Sequence, residues 1–298
     1  MSMSCALLPG KREPVVRTLI LISWDGRSVP LACLHRDIEP AFDIVLFNYS
    51  GSDADAGTGW PLVAKLSEKT ECKGQIFSAF QAYLEKLSTP YDYVALIDDD
   101  IAVDVSSLNG AIELAAQAGL DSFSLSLTAD SHVNHKRFVT VAGSSMRAMP
   151  WVEVMMPFYR QALYTEAAPF IAGSVSSYGV DQFVMPFLCK TTGMDHVALI
   201  DAYSARHGRP VTSDGRVYSN GLTAHQERVE LRRRCLTAIR RDWPQLRGTR
   251  WFYATFAPLN GPSRFWLLRL GWPWHTVQRL VSLQFSRQER RGMHDGPK

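Results

Sequence analysis

Tyr91-Asp-Tyr-Val-Ala-Leu-Ile-Asp-Asp-Asp-Ile101 is the stretch whose reading decides the fold. Pro90 bounds it, and Tyr93 to Ile97 form a short apolar run of the kind that makes a buried strand in a parallel or mixed sheet. In an open α/β sheet, ligands sit outside the carboxyl ends of the strands, and Asp98, Asp99 and Asp100 fall there. On an extended backbone, Asp98 and Asp100 share a face and Asp99 points away. Three adjacent carboxylates disfavour one another's ionisation. A hard divalent cation, Mg²⁺ or Mn²⁺, removes that penalty through oxygen ligands. An acidic turn, with one Asp capping the next helix, suits the same residue types.

Two further strands precede this stretch. Thr18 to Ser23 is a β-branched apolar run, and Phe42 to Asn48 is another, ending in the Gly/Asp/Ser loop Tyr49 to Gly57. Gly74 to Leu87 places apolar residues at 76, 77, 80, 83, 84 and 87, which predicts an amphipathic helix. Lys73 and Gly74 at its start have the means to meet phosphate oxygens, although a lysine before a helix is commonly a surface residue.

Beyond the aspartates, Ser106 or Ser107 is expected to cap a helix through Ala118, with Gly119 just past its end. Asp121 to Leu127 alternates as a half-buried strand, and a polar loop with His132 and His135 follows. Trp151 to Met156 reads as a strand and Pro157 as the opening of a helix running to about Ala168. The loop Gly173 to Phe183 leads into a helix that carries Asp181 in its first turn and ends at Gly193. Asp181 suits a helix-dipole carboxylate and equally a general base or acceptor anchor. His196 to Asp201 is a short strand. A compact loop with His207 between Arg206 and Arg209 comes after it, a histidine placed to complete a metal shell with arginines facing phosphates.

Charge divides the 298 residues. The net charge is +3, yet residues 222–298 carry fifteen Lys and Arg against five Asp and Glu, and five of the eight tryptophans. Two units follow: an acidic body over 1–221 and a basic, Trp-rich helical extension over 222–298. The basic helix His225 to Asp242 and the Trp/Arg segment Arg264 to Trp274 suit an anionic membrane surface. They also suit a packed subdomain with a basic outer face. No nucleic-acid reader motif is present. Five scattered cysteines without Cys-x-x-Cys spacing argue against a disulfide framework or structural zinc. With no apolar run of membrane-spanning length, the expected location is cytoplasmic, with peripheral membrane contact through the extension.

With Asp98-Asp99-Asp100, Tyr178-Gly-Val-Asp181 and Arg206-His207-Gly-Arg-Pro210 in place, the chain resembles a GT-A-type nucleotide-sugar glycosyltransferase. More narrowly, it resembles a family of plants and bacteria whose plant members are labelled storage-protein-like or lysine-ketoglutarate-reductase-related. There, an apolar strand ends in Asp-Glu-Asp, a Trp-Gly-Leu-Asp segment follows, and a strand ending in Asp is followed by a His. These are matched by Asp98 to Asp100, Tyr178 to Asp181, and Ile200-Asp201 with His207. Asp99 replaces a Glu of that pattern and Tyr178 a Trp. The resemblance spans about 18–214.

It implies an α/β fold, a GT-A-like mixed and mostly parallel sheet flanked by helices. It also implies a metal-dependent glycosyltransferase moving a sugar from a nucleotide sugar to a glycan or lipid-linked acceptor. Asp98, Asp100 and His207 would hold Mn²⁺ or Mg²⁺. Lys73, Gly74, Asp99, Arg206 and Arg209 would serve the donor, and Asp181 would be the catalytic base. Two other readings stay open: a metal-dependent phosphohydrolase, and a non-catalytic module of this fold that docks at a membrane.

Overall fold

The computed structural model describes residues 16–54, 57, 59–210 and 215–256. The first predicted strands form as read: β1 (Thr18–Trp24), β3 (Asp43–Asn48) and β5 (Tyr93–Ile97), with a two-residue β2 (Leu34–His35) and the strand β4 (Leu62–Ser67) between them. β1 lies in the middle, parallel to β3 on one side and β5 on the other. β6 (Ile101–Asp104), β7 (Ser122–Leu127), β8 (Met146–Ala148), β9 (Phe158–Arg160) and β10 (Val197–His207) complete the sheet. The order is β2-β6-β10-β7-β9-β5-β1-β3-β4, with β8 on β10. β9 runs antiparallel to both β5 and β7. It so joins the parallel β5-β1-β3-β4 group to the parallel pair of β7 and β10, on which β6 and β8 lie antiparallel.

Alternation along the central strands sends side chains into two cores. Ile20, Ile22, Ile44, Leu46, Ala95 and Ile97 enter one, covered by α2 (Val105–Gln117). Leu19, Leu21, Val45, Phe47, Val94 and Leu96 enter the other. That second core is covered by α1 (Lys73–Leu84), α3 (Gln161–Ile171), α4 (Met185–Thr192) and α5 (Ala224–Asp242). Every residue of β7 is buried, so the predicted half-exposed strand is covered on both faces.

α5 carries Leu231, Cys235 and Ile239 into this second core, and α6 (Arg250–Phe256) adds Phe256. Thr223 and Gln226 close a reciprocal capping box at the start of α5. Up to Phe256 the basic segment is therefore packed against the sheet's helical layer. Several of its arginines are paired: Arg233 and Arg234 on Glu230, Arg234 also on the carbonyls of Phe170 and Ala172, Arg241 on Asp242. The remainder of the expected extension, with Trp266, Trp272 and Trp274, lies outside the described residues.

Four local expectations are corrected. Trp151 to Met156 is an irregular segment between Pro150 and Pro157, and the strand starts only at Phe158. The helix after it begins at Gln161, not at Pro157. The N-cap of α2 is Asp104, and the Ser106 N–H is met by Asp37 Oδ1 at 3.0 Å in place of a serine cap. Finally, Ala202 to His207 is no loop. β10 continues through a register shift between Ile200 and Ser204, and its end pairs antiparallel with β6, His207 opposite Ile101. Pro186, awkward inside one predicted helix, sits in the first turn of α4, which starts after a π-helical turn at Val180–Val184.

Candidate active site

The three aspartates leave the buried end of β5 and form a turn, with the Ile101 N–H donating to the Asp98 carbonyl at 3.1 Å. Strand alternation therefore stops at Ile97, and each carboxylate finds its own partner. Asp98 Oδ1 pairs with Lys73 Nζ at 2.6 Å. Asp99 accepts from the Tyr49 hydroxyl at 3.0 Å and pairs with Arg209, while its N–H donates to Ser23 Oγ. Asp100 Oδ2 receives Arg209 Nε at 3.0 Å and faces His207 Nε2 at 3.4 Å. Backbone pairing fixes this last approach, because the Gly208 N–H donates to the Asp100 carbonyl at 2.8 Å.

Lys73, Arg209 and, when protonated, His207 thus bring positive charge to three carboxylates. Burial acts to raise the Asp98 carboxyl and outweighs the pull of Lys73, so its pKa lies above the usual range. Burial also acts against charge on Asp100, but hydrogen bonds from His207 and Arg209 more than reverse it and hold that carboxyl low. For His207, burial works to lower the pKa, and the contacts with Asp100 and the His132 carbonyl overcome it.

The His207 ring is oriented by His132, whose carbonyl accepts from Nδ1 at 2.7 Å. With that proton fixed on Nδ1, the Nε2 lone pair of a neutral ring is directed at a carboxylate oxygen. Two acceptors at this distance need a proton or a cation between them. Asp100 Oδ1 is buried and has no hydrogen-bond partner. These two side chains fit a divalent ion of the kind held by one or two protein ligands and substrate phosphates. Asp98 is engaged by Lys73. Among the described residues no three His, Cys, Asp or Glu side chains stand as a preformed cage.

Two expected donor contacts are not at this centre. Gly74 spends its N–H on the Val175 carbonyl at 2.8 Å, and a Cβ there would meet the Ser174 carbonyl oxygen at 2.6 Å. Its place is one of close packing between α1 and the 174–176 loop. Arg206 neighbours His207 on the strand and so takes the opposite face, where it is exposed and paired with Asp130 at 2.7 Å.

Asp181 lies in the π-helical turn, 7% exposed, after Gly179 at φ 103°. Burial pushes its carboxyl up to about 7, against the pull of Arg228. Glu153, which the reading of Trp151 to Met156 as a strand passed over, is also buried and is pushed up to about 8, by burial and then by the charge of Asp181. Arg137 acts on both. A lone acid in an apolar run between two prolines was the signal available for Glu153. His135, one of the two loop histidines, packs edge-on against Trp151 and is lowered to about 4, chiefly by burial. It is neutral near pH 7.

The loop leading to Asp181 is held from the basic helix. Glu227, 2% exposed, accepts from Val175 N at 2.7 Å, Ser176 N at 2.8 Å and Ser174 Oγ at 3.0 Å. A cleft of about 240 Å³ adjoins this region, walled by Arg137, Trp151, Gln182, Arg228 and Trp251.

No family model matches the chain, and no curated protein matches it. Among solved structures, the chain is similar to S. aureus TarS 1–349 in complex with UDP-GlcNAc. The identity is 11%, over 95% of this chain and 76% of that one, with a TM-score of 0.51. Two other structures of the same protein also match. S. aureus TarS is 10% identical over 95% of this chain and 46% of that one, TM-score 0.49, and TarS 1–349 in complex with UDP is 12% identical over 94% and 92%, TM-score 0.43. At such identity the first likeness concerns the fold, which is GT-A-like: a mixed sheet flanked by helices.

Proposed function

We propose that this chain is a glycosyltransferase that moves a sugar from a nucleoside diphosphate donor to a hydroxyl of a glycan or lipid-linked acceptor, with Mn²⁺ or Mg²⁺ as cofactor. The observation that carries the proposal is the approach of His207 Nε2 to Asp100 Oδ2 at the carboxyl end of β5. The fold agrees with it, since a structure of similar fold holds UDP-GlcNAc.

Asp100 and His207 would hold the cation, which supplies Lewis-acid neutralisation of the charge on the departing diphosphate. Lys73 and Arg209 bring two further positive groups to the same rim, where phosphate oxygens can replace the carboxylates as their partners. For an inverting displacement, Asp181 takes the proton of the acceptor hydroxyl as its oxygen bonds to the anomeric carbon. The bond from that carbon to the diphosphate breaks in the same step. A carboxyl raised to about 7 suits a base working near neutral pH. Asp99 holds the turn in place through Tyr49 and Ser23.

The test is release of nucleoside diphosphate from a panel of UDP- and GDP-sugars, with and without Mn²⁺. Metal-dependent release from at least one donor is the expected result. No binding of any nucleotide sugar in either condition would sink the proposal. No described helix is long and apolar enough to cross a bilayer.

A further inference from the structure

The cleft of about 240 Å³ stands apart from the carboxylate cluster, since none of Lys73, Asp98, Asp99, Asp100, His207 and Arg209 lines it. Gln182 and Phe183 of the π-helical turn form part of its wall, and α6 closes it with Trp251. Its charged lining is Arg137, Arg228, Lys190 and Asp195. Lys190 and Asp195 face each other at 3.5 Å and offset one another.

Arg137 has no such counter-charge. Its Nε and Nη2 are enclosed without a hydrogen bond, and among the described residues no ion pair joins it to a carboxylate. Burial lowers its pKa only to about 10, so it is charged near pH 7. Glu153, raised to about 8, is chiefly protonated there and supplies little negative charge. A desolvated cation without a counter-ion is costly. An anion entering the cleft offsets that cost.

The walls are preformed, which lowers the ordering cost of binding. The Arg137 guanidinium lies 4.3 Å from the Trp151 ring centroid, and His135 and Phe138 pack on the same indole at 5.3 and 5.0 Å. The Arg137 carbonyl accepts from Arg147 Nη1 at 3.0 Å, and Arg147 is locked on Asp201 by contacts of 2.6 and 3.0 Å. Across the cleft, Trp251 packs edge-on against Phe256, which stacks on Phe183. Arg228 donates from Nε to Gln182 Oε1 at 2.9 Å, keeping a second cation in the wall.

This lining narrows the ligand. Trp151, Phe183, Pro186 and Trp251 are apolar surface around few polar groups, the make-up of a small-molecule pocket. Inorganic phosphate would meet Arg137 and leave those walls to water. A hydrocarbon would cover the walls and leave the charge uncompensated. We propose that the cleft is a binding site for a small amphiphilic anion. One phosphate or carboxylate is directed at Arg137, and an apolar body lies along Trp151, Trp251 and Pro186. The site does not depend on the transferase reading.

The test titrates the full chain with hexyl phosphate, hexanoate, 1-hexanol and inorganic phosphate, followed by calorimetry and tryptophan fluorescence. At least one of the two amphiphilic anions is expected to bind about ten-fold or more tighter than 1-hexanol and inorganic phosphate. Which of them does so identifies the head group. Arg137→Met should remove the advantage over 1-hexanol, and Trp251→Ala should weaken the anion and the alcohol alike. Arg209→Met should change neither. Arg137→Gln serves where the methionine variant does not fold.

Equal binding of alcohol and anions overturns the proposal, as does binding of none of the four. Undiminished anion affinity in a folded Arg137 variant also overturns it. Loss of affinity in Arg209→Met would put the anion at the carboxylate cluster and defeat it in turn.

Discussion

The His207 imidazole and the Asp100 carboxylate stand 3.4 Å apart, Nε2 to Oδ2, on β10 and on the turn after β5. The His132 carbonyl fixes the proton on the far side of the ring. Removing either group would delete half of the proposed cation site, while Asp100 keeps Arg209 and His207 keeps the His132 carbonyl. His207→Ala and Asp100→Asn are each expected to weaken Mn²⁺ binding by about 100-fold or more, since even outer partners of metal ligands are worth about 10- to 100-fold. Isothermal titration of Mn²⁺ in the presence of a nucleoside diphosphate checks this. Unaltered affinity would place the ion elsewhere.

In the proposed transfer, Asp181 would set the pH dependence. With its carboxyl at about 7, it is protonated and idle as a base below that pH and ionised above it. Turnover with saturating donor is expected to rise with pH through about 7 and then level. Asp181→Asn should lower kcat by about 10² to 10⁴ and flatten that limb. A variant that keeps the wild-type profile would remove Asp181 from the role.

Glu227 ties the 174–176 loop to α5 through two backbone N–H groups and the hydroxyls of Ser174 and Ser176. Burial acts against its charge, but the bonds from Ser176 and Val175 hold its carboxyl below the ordinary value. A carboxyl depressed in the folded state contributes stability that is complete above its unfolded pKa. That stability is lost as the pH falls through the folded value. Glu227→Ala is expected to cost about 3 kcal/mol at pH 7, because several buried donors lose one charged acceptor. The cost should shrink in acid. Denaturant unfolding at pH 7 and in the acid range measures both, and an equal loss at the two would contradict the assignment.

Gly179 stands at φ 103°, two residues before Asp181, and a Cβ there would come within 3.1 Å of Arg228 Cα. Gly179→Ala combines left-handed strain with a backbone clash. It should destabilise the fold by about 1–3 kcal/mol and lower kcat through displacement of Asp181. Thermal unfolding and steady-state kinetics would show it, and a variant with wild-type stability would mean that the turn relaxes freely.

Much of the fold was legible because its signals are local. The apolar runs of β1, β3 and β5 and the helical spacing of α1 each depend on a few neighbouring residues, as does the placing of the acidic cluster at a strand end. The convergence of His207 on Asp98 to Asp100 was expected from the resemblance, and the geometry brings it onto Asp100. The polar sequence Ala202 to His207 hid a strand, because its register shift after Ile200 breaks the alternation that marks strands in sequence.

By itself, then, the sequence determined the strands β1, β3 and β5 and the helix α1 beside them, and that carboxylates would crowd where β5 ends. Only the tertiary structure decided which partners those carboxylates take. The antiparallel pairing of β10 with β6 turns His207 toward Asp100 and sends Arg206 to Asp130. Folding likewise buries Glu153 in an irregular segment, and it makes a glutamate of the basic helix hold the loop before Asp181. Helix and strand periods are set within a few residues. Contacts between side chains distant in sequence depend on sheet order and register, which no local pattern encodes.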